Sequence, residues 1–129
     1  MPSFVLVAAG GALGSVCRYL VGMLMTKLFS SAFPFGTLLV NTIGSFFVTF
    51  FIFFSLKEMS FDAPWRLFIV TGFLGGFTTF SAFSLETLTL LNQGFQLKAL
   101  LNLILNVGLS LGAAWLGLLL ARTLLEIGR

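Results

Sequence analysis

The side chains with chemistry to offer in this chain are mostly hydrogen-bond donors set inside apolar stretches. The densest group is the run from Thr71 to Ser84, T-G-F-L-G-G-F-T-T-F-S-A-F-S, with three glycines, five hydroxyls and four phenylalanines. Asn41, Asn102, Asn106 and Ser110 add carboxamides and a further hydroxyl, and Arg18 adds a guanidinium. All can donate hydrogen bonds, which favours a small anion as the species they handle. Phe80 and Phe83 either pack, as most of the seventeen phenylalanines must, or present ring edges to an anion, because the quadrupole of an aromatic ring leaves its edge electropositive. Material for catalysis is scarce: there is no histidine, Cys17 is the single cysteine, and no apolar segment holds two carboxylates to act as acid and base. These features argue against an enzyme, and against a disulfide within the chain or a Cys/His metal site.

Such groups need helices to hold them. Of 129 residues, 58% are hydrophobic and 9% charged, against roughly a quarter charged in soluble domains. An all-α integral membrane protein follows, with room for about four helices of roughly 20 residues. The expected spans cover about 4–29, 35–56, 65–92 and 97–125, a single four-span membrane domain over residues 1–129. The first is read as retained, since no positively charged segment precedes it and its apolar stretch runs past signal-peptide length. The net charge of +3 comes from seven dispersed basic residues. No run of them could track a nucleic-acid backbone, so they belong to membrane flanks.

Small and polar residues recur every fourth position: Gly10, Gly14, Arg18, Gly22 and Thr26; then Thr37, Asn41, Ser45 and Thr49; then Lys98, Asn102, Asn106 and Ser110. That interval puts each set along one helix face. The stripes join helices, at about 0.6 kcal/mol per hydrogen bond, or line a wet path. Thr37 and Thr49 suit the first reading and Asn41 the second, while two asparagines on one span are costly unless paired or wet. Arg18 is either a snorkelling side chain or an attractor of anions. Glu86 is either a proton or cation site or a carboxylate bonded to a neighbouring helix or near the surface. The GxxxG spacings at Gly10–Gly14 and Gly108–Gly112, and Trp115, are accounted for by packing. Lys57, Glu58 and Asp62 form a hydrated loop with Asp62 as a candidate cap, Pro34 and Pro64 suit first helical turns, and Trp65 with Arg66 reads as an interfacial anchor.

In the third span, Gly72, Gly75 and Gly76 each lower helix propensity by about 1 kcal/mol relative to alanine. The helix is expected to weaken or break between Gly75 and Thr79. Backbone freed there must be protected by protein or line a wet path, and broken spans are a device of transport proteins.

The run G-F-L-G-G-F-T-T-F-S-A-F-S-L-E from Gly72 to Glu86, with G-T-L-L-V-N from Gly36 to Asn41, resembles the Fluc (CrcB) fluoride channels. The four-span pattern extends the resemblance over essentially the whole chain. It implies a channel that exports fluoride passively across a bacterial inner membrane, built as an antiparallel, dual-topology homodimer with two pores. It further implies that Asn41 lines the pore, that Phe80 and Phe83 supply ring edges, and that Thr79 and Ser81 are their polar neighbours. Asn102, Asn106 and Ser110 would continue the fluoride pathway on the fourth span, Arg18 would stand at a vestibule, and Glu86 beside the pore. The carbonyls of Gly75 and Thr78 from both subunits would hold a structural sodium ion at the dimer centre. Lys57, Arg66, Arg122 and Arg129 fall on one side and Lys27 and Lys98 on the other with Arg18 nearby, a weak bias compatible with insertion in both orientations. Two other classes compete. One is a small dual-topology proton-coupled exporter of cationic compounds, whose first-span carboxylate is missing here; the other is a non-transporting scaffold whose stripes only join helices.

Overall fold

The computed structural model describes residues 2–30, 32–55 and 63–127. Lys57, Glu58, Asp62 and Arg129 lie outside the described residues, and so does the cap expected of Asp62. Among the described residues every regular element is helical: α1 is Ser3–Phe29, α2 Phe35–Phe54, α3 residues 64–77, α4 Phe80–Asn92 and α5 Gln96–Ile127. Four segments are long and apolar enough to cross a membrane: Ser3–Phe29, Phe35–Phe54, Pro64–Asn92 and Gln96–Ile127. Pro64 occupies the first turn of α3, whereas Pro34 stands one residue ahead of α2, at its cap position.

The third segment combines α3 and α4. Within α3 the stretch Leu67–Leu74 is wound as a π-helix, between α-helical turns at Pro64–Arg66 and Gly75–Phe77. Its wider turn packs against α1 backbone to backbone. A Cβ added to Gly10 would strike the Phe68 carbonyl oxygen, and one on Gly14 the Phe73 carbonyl oxygen. In return, a Cβ on Gly72 would come within 2.9 Å of the Val7 oxygen and one on Gly76 within 2.5 Å of the Gly11 oxygen. Gly72 and Gly76 therefore serve close approach to α1, Gly75 faces away from it, and the helix continues through all three.

The break falls at the two residues beyond them, inside the expected window. Thr78 (φ −80°, ψ 157°) and Thr79 (φ −156°, ψ 113°) are extended. α3 packs chiefly on α1, α4 on α5, and α2 on both α5 and α1. The two halves of one span thus belong to different neighbours. Val40, Leu74, Phe77, Phe83, Ala99 and Ala121 fill the buried interior.

Arg66 departs from the anchor reading. It is 5% exposed, and its Nη2 donates to the Ser55 carbonyl and hydroxyl oxygens, each at 2.7 Å, while Nε reaches the same hydroxyl at 3.1 Å. A planar guanidinium suits this fork of acceptors at the end of α2. Gly108 and Gly112 take no part in packing within the protomer. A Cβ at either meets nothing within 4 Å, while Gly117 supplies the contact of α5 with α2, its Cβ position abutting the Phe46 carbonyl.

Candidate functional site

The break creates a second helix start inside the membrane-length segment. Thr79 caps α4, its hydroxyl oxygen accepting from the Ala82 N–H at 3.1 Å and sharing a 3.2 Å hydrogen bond with Ser81 Oγ. Side-chain oxygens of this kind satisfy donors that a helix start leaves without partners. The positive end of the helix dipole sits at the same place.

Asn41 of α2 supports the cap. Its Oδ1 accepts the Thr79 N–H at 2.7 Å, and its Nδ2 donates to the Thr79 carbonyl at 3.0 Å and to Asn106 Oδ1 at 3.1 Å. On α5, Asn106 Nδ2 donates to Asn102 Oδ1 at 2.8 Å and to the Asn102 carbonyl at 3.2 Å. Both α5 asparagines are buried, Asn102 at 0% exposure and Asn106 at 4%. They meet the requirement for pairing that the sequence imposed on them.

A cleft of about 340 Å³ opens beside this assembly, lined by Asn41, Ser45, Thr78, Thr79, Phe80, Phe83, Asn106, Val107, Ser110 and Leu111. Six of the eight residues that the resemblance assigns to the fluoride pathway thus share one space, Asn41, Thr79, Phe80, Phe83, Asn106 and Ser110, together with Ser45 and Thr78. The two rings pack edge to face, with centroids 5.4 Å apart and planes at 63°. Phe83 is 7% exposed and Phe80 77%. Ser110 Oγ is buried with no hydrogen-bond partner among the described residues. Ser81 and Asn102 do not line this cleft; Ser81 is exposed beside the cap and Asn102 lies behind Asn106.

A wider cleft of about 630 Å³ meets the cap from another direction and holds Arg18, Lys27, Thr37, Thr79 and Ala82. Thr79 therefore borders both spaces, and the four-residue stripe of α1 brings Arg18 to one of them. Glu86 borders a third cleft, with Thr26, Thr37, Thr89 and Gln93. Thr37 Oγ1 donates to Glu86 Oε1 at 2.6 Å, the interhelical bond read for Thr37. Gly75 is exposed and Thr78 half-buried. The N–H of Thr79, which would close a helical turn on the Gly75 carbonyl, is instead taken by Asn41.

Thr87 went unnoticed in the sequence. Its hydroxyl donates to the Phe83 carbonyl at 2.8 Å and accepts from Asn102 Nδ2 at 3.0 Å. The signal was available: Thr87 lies four residues after Phe83, the interval that defined the other stripes.

Four apolar segments of membrane length, one interrupted at a threonine that caps its second half and borders two clefts, define a small membrane protein of the transport class. The family model described as "CrcB-like protein, Camphor Resistance (CrcB)" matches residues 5–118, and the chain belongs to that family. It is 44% identical over 124 residues to the "Fluoride-specific ion channel FluC" of Sulfurihydrogenibium sp. (strain YO3AOP1), covering 96% of this chain and 100% of the relative. To the protein of the same name from Rhizobium meliloti (strain 1021) it is 48% identical over 96% of this chain and 99% of the relative. To that of Shewanella sp. (strain W3-18-1) it is 49% identical over 91% of this chain and 94% of the relative.

Proposed function

We propose that this protein is a fluoride-selective channel through which the ion leaves the cell passively across the inner membrane, lowering its toxicity; it is not an enzyme. The observation that carries the reading is the 44% to 49% identity, over nearly the whole of both chains, to fluoride-specific channels. The site geometry supports it. A small, strongly hydrated anion enters a membrane only where other donors replace its water. The cleft beside the break offers the unpartnered hydroxyl of Ser110, the carboxamides of Asn41 and Asn106, and the edges of Phe80 and Phe83.

Each group has a part in this mechanism. Arg18 raises the local concentration of anions in the wide cleft next to the cap. The start of α4 at Thr79 adds a positive dipole end where the ion sheds water. Phe80 and Phe83 then hold it by their edges, and Ser110, Asn106 and Asn41 supply polar contacts along α5 and α2. Ser81 supports the cap, Asn102 backs Asn106, and Glu86, bonded to Thr37, borders the route.

The functional unit is an antiparallel homodimer with two pores. Its contact face includes the exposed Gly75 and Phe80 and the open glycines Gly108 and Gly112, where small residues allow close approach of a second copy. The backbone at the break fits a sodium ion between the copies. Among the described residues no cluster of three or more His, Cys, Asp and Glu could hold a metal. Unwound carbonyls are the donors such sites use, and the Gly75 carbonyl has lost the Thr79 N–H to Asn41. The carbonyls of Gly75 and Thr78 would hold the ion, and its charge would offset the carbonyl dipoles gathered there.

The test is direct. Liposomes carrying the purified protein and loaded with fluoride or chloride are to be diluted into ion-free buffer under a potassium–valinomycin shunt. Fluoride should leave much faster than chloride; equal rates, or no efflux, reject the channel.

A further inference from the structure

Hydrogen bonds that begin at the break run on past the cleft. Asn41 Nδ2 donates to Asn106 Oδ1, Asn106 Nδ2 to Asn102 Oδ1, Asn102 Nδ2 to Thr87 Oγ1, and Thr87 to the Phe83 carbonyl, at 3.1, 2.8, 3.0 and 2.8 Å. Every donor points the same way, an arrangement in which each bond polarises the next. The chain starts against Thr79, the cap of α4, and returns to α4 at Phe83. Neither Asn102 nor Thr87 lines the cleft that contains Phe80 and Phe83.

We infer that Thr87 and Asn102 are a positioning pair that fixes the rotation of α4 and so aims the Phe83 ring into the ion cleft. The inference rests on the channel reading above. α4 is a helix of 13 residues detached from α3 by two extended threonines. The Asn41 clasp holds its cap, Thr79, and the Thr37–Glu86 bond ties its middle to α2, both on one side of the helix. The attachment of Thr87, eight positions beyond the cap, adds the side-chain tie to α5 and fixes the rotation from that second helix.

A helical threonine bonded to the carbonyl four residues back is common and needs no partner. Ser84 and Thr89 do this on the same helix. What separates Thr87 is that its oxygen also accepts from α5, through a carboxamide whose own oxygen is held by Asn106. Asn102 is the fully buried junction: one face of it fixes the asparagine line to the cap, the other fixes Thr87.

Thr87→Val keeps the shape and removes the hydroxyl, and Thr87→Ser keeps the hydroxyl. In the fluoride-efflux assay on the full-length protein, Thr87→Val should slow efflux about tenfold, the scale of one lost hydrogen bond acting on the barrier. Thr87→Ser should stay within about twofold on the same scale. Fluorine NMR of detergent-solubilised protein with 4-fluorophenylalanine at position 83 reads the ring itself. Thr87→Val and Asn102→Leu should each shift or broaden that resonance, and Thr87→Ser should leave it in place. A Phe83 signal unmoved by Thr87→Val overturns the inference, even if the variant melts at a lower temperature. The NMR result stands whether or not the wild type conducts; a silent wild type in liposomes removes only the channel reading.

Discussion

Asn41 meets Thr79 as one peptide group meets another. Its carboxamide oxygen takes the Thr79 N–H at 2.7 Å and its nitrogen returns a hydrogen bond to the Thr79 carbonyl at 3.0 Å. A side chain here replaces backbone partners that a continuous helix would have supplied. Hydrocarbon leaves no water to do so, and only a carboxamide carries donor and acceptor at peptide spacing.

Replacing that group should therefore damage structure and conduction together. Asn41→Leu leaves both Thr79 groups unpaired, at about 1–3 kcal/mol for each buried loss. Asn41→Asp keeps the acceptor, loses the donor and brings negative charge to the proposed anion path. Both should lower the melting temperature in detergent and reduce fluoride efflux at least tenfold, the aspartate more than its stability loss accounts for.

Phe80 and Phe83 offer the contrasting case. Isoleucine at either position keeps apolar bulk and removes the electropositive edge. Phe80→Ile and Phe83→Ile should elute from gel filtration like the wild type and conduct fluoride at least about tenfold more slowly. Variants that conduct as the wild type does would leave the two rings a packing role alone, and a non-transporting scaffold would show no efflux from any of the three proteins.

Arg18 lines the wide cleft next to Thr79, so its effect should depend on salt. Arg18→Gln should slow efflux a few-fold at low ionic strength, and the difference should shrink near 1 M salt, where the screening length falls to about 3 Å. A defect of equal size at both ionic strengths would assign Arg18 a packing role.

Two glycines should respond oppositely to alanine. At Gly14 the added carbon strikes the Phe73 carbonyl, backbone that cannot swing aside, while at Gly108 it meets nothing within the protomer. Gly14→Ala should cost about 1–3 kcal/mol in thermal unfolding. Gly108→Ala should leave the protomer fold intact and weaken only association of two copies, measured by crosslinking in liposomes.

The spans were legible because apolar runs of membrane length stand out from any soluble pattern, and the stripes because four-residue spacing survives within them. Asn41, Asn106 and Ser110 carried that spacing, Thr79, Phe80 and Phe83 were joined to them by the resemblance, and all six line one cleft. The π-helical turns of Leu67–Leu74 were not legible, since the bonding step of a helix leaves no mark on a run whose one polar side chain is Thr71. Gly72, Gly75 and Gly76 looked like the break because propensity treats a glycine as a weakness. In a membrane the same absence of a side chain admits a neighbouring backbone, and threonines that can cap make the interruption instead. Arg66 read as a surface anchor because sequence shows its charge but not the Ser55 carbonyl waiting for it.

The pairing of α2 with the broken segment also has a meaning in time. Thr79 finds its partner on Asn41 and Glu86 on Thr37, residues that come earlier in the chain. Synthesis proceeds from the N-terminus, so α2 is already made when the interrupted segment leaves the ribosome. The exposed peptide groups at its middle enter lipid with a clasp in reach. Only the arm through Asn102 and Asn106 must wait for the last helix, which closes the assembly after the most vulnerable backbone has been sheltered.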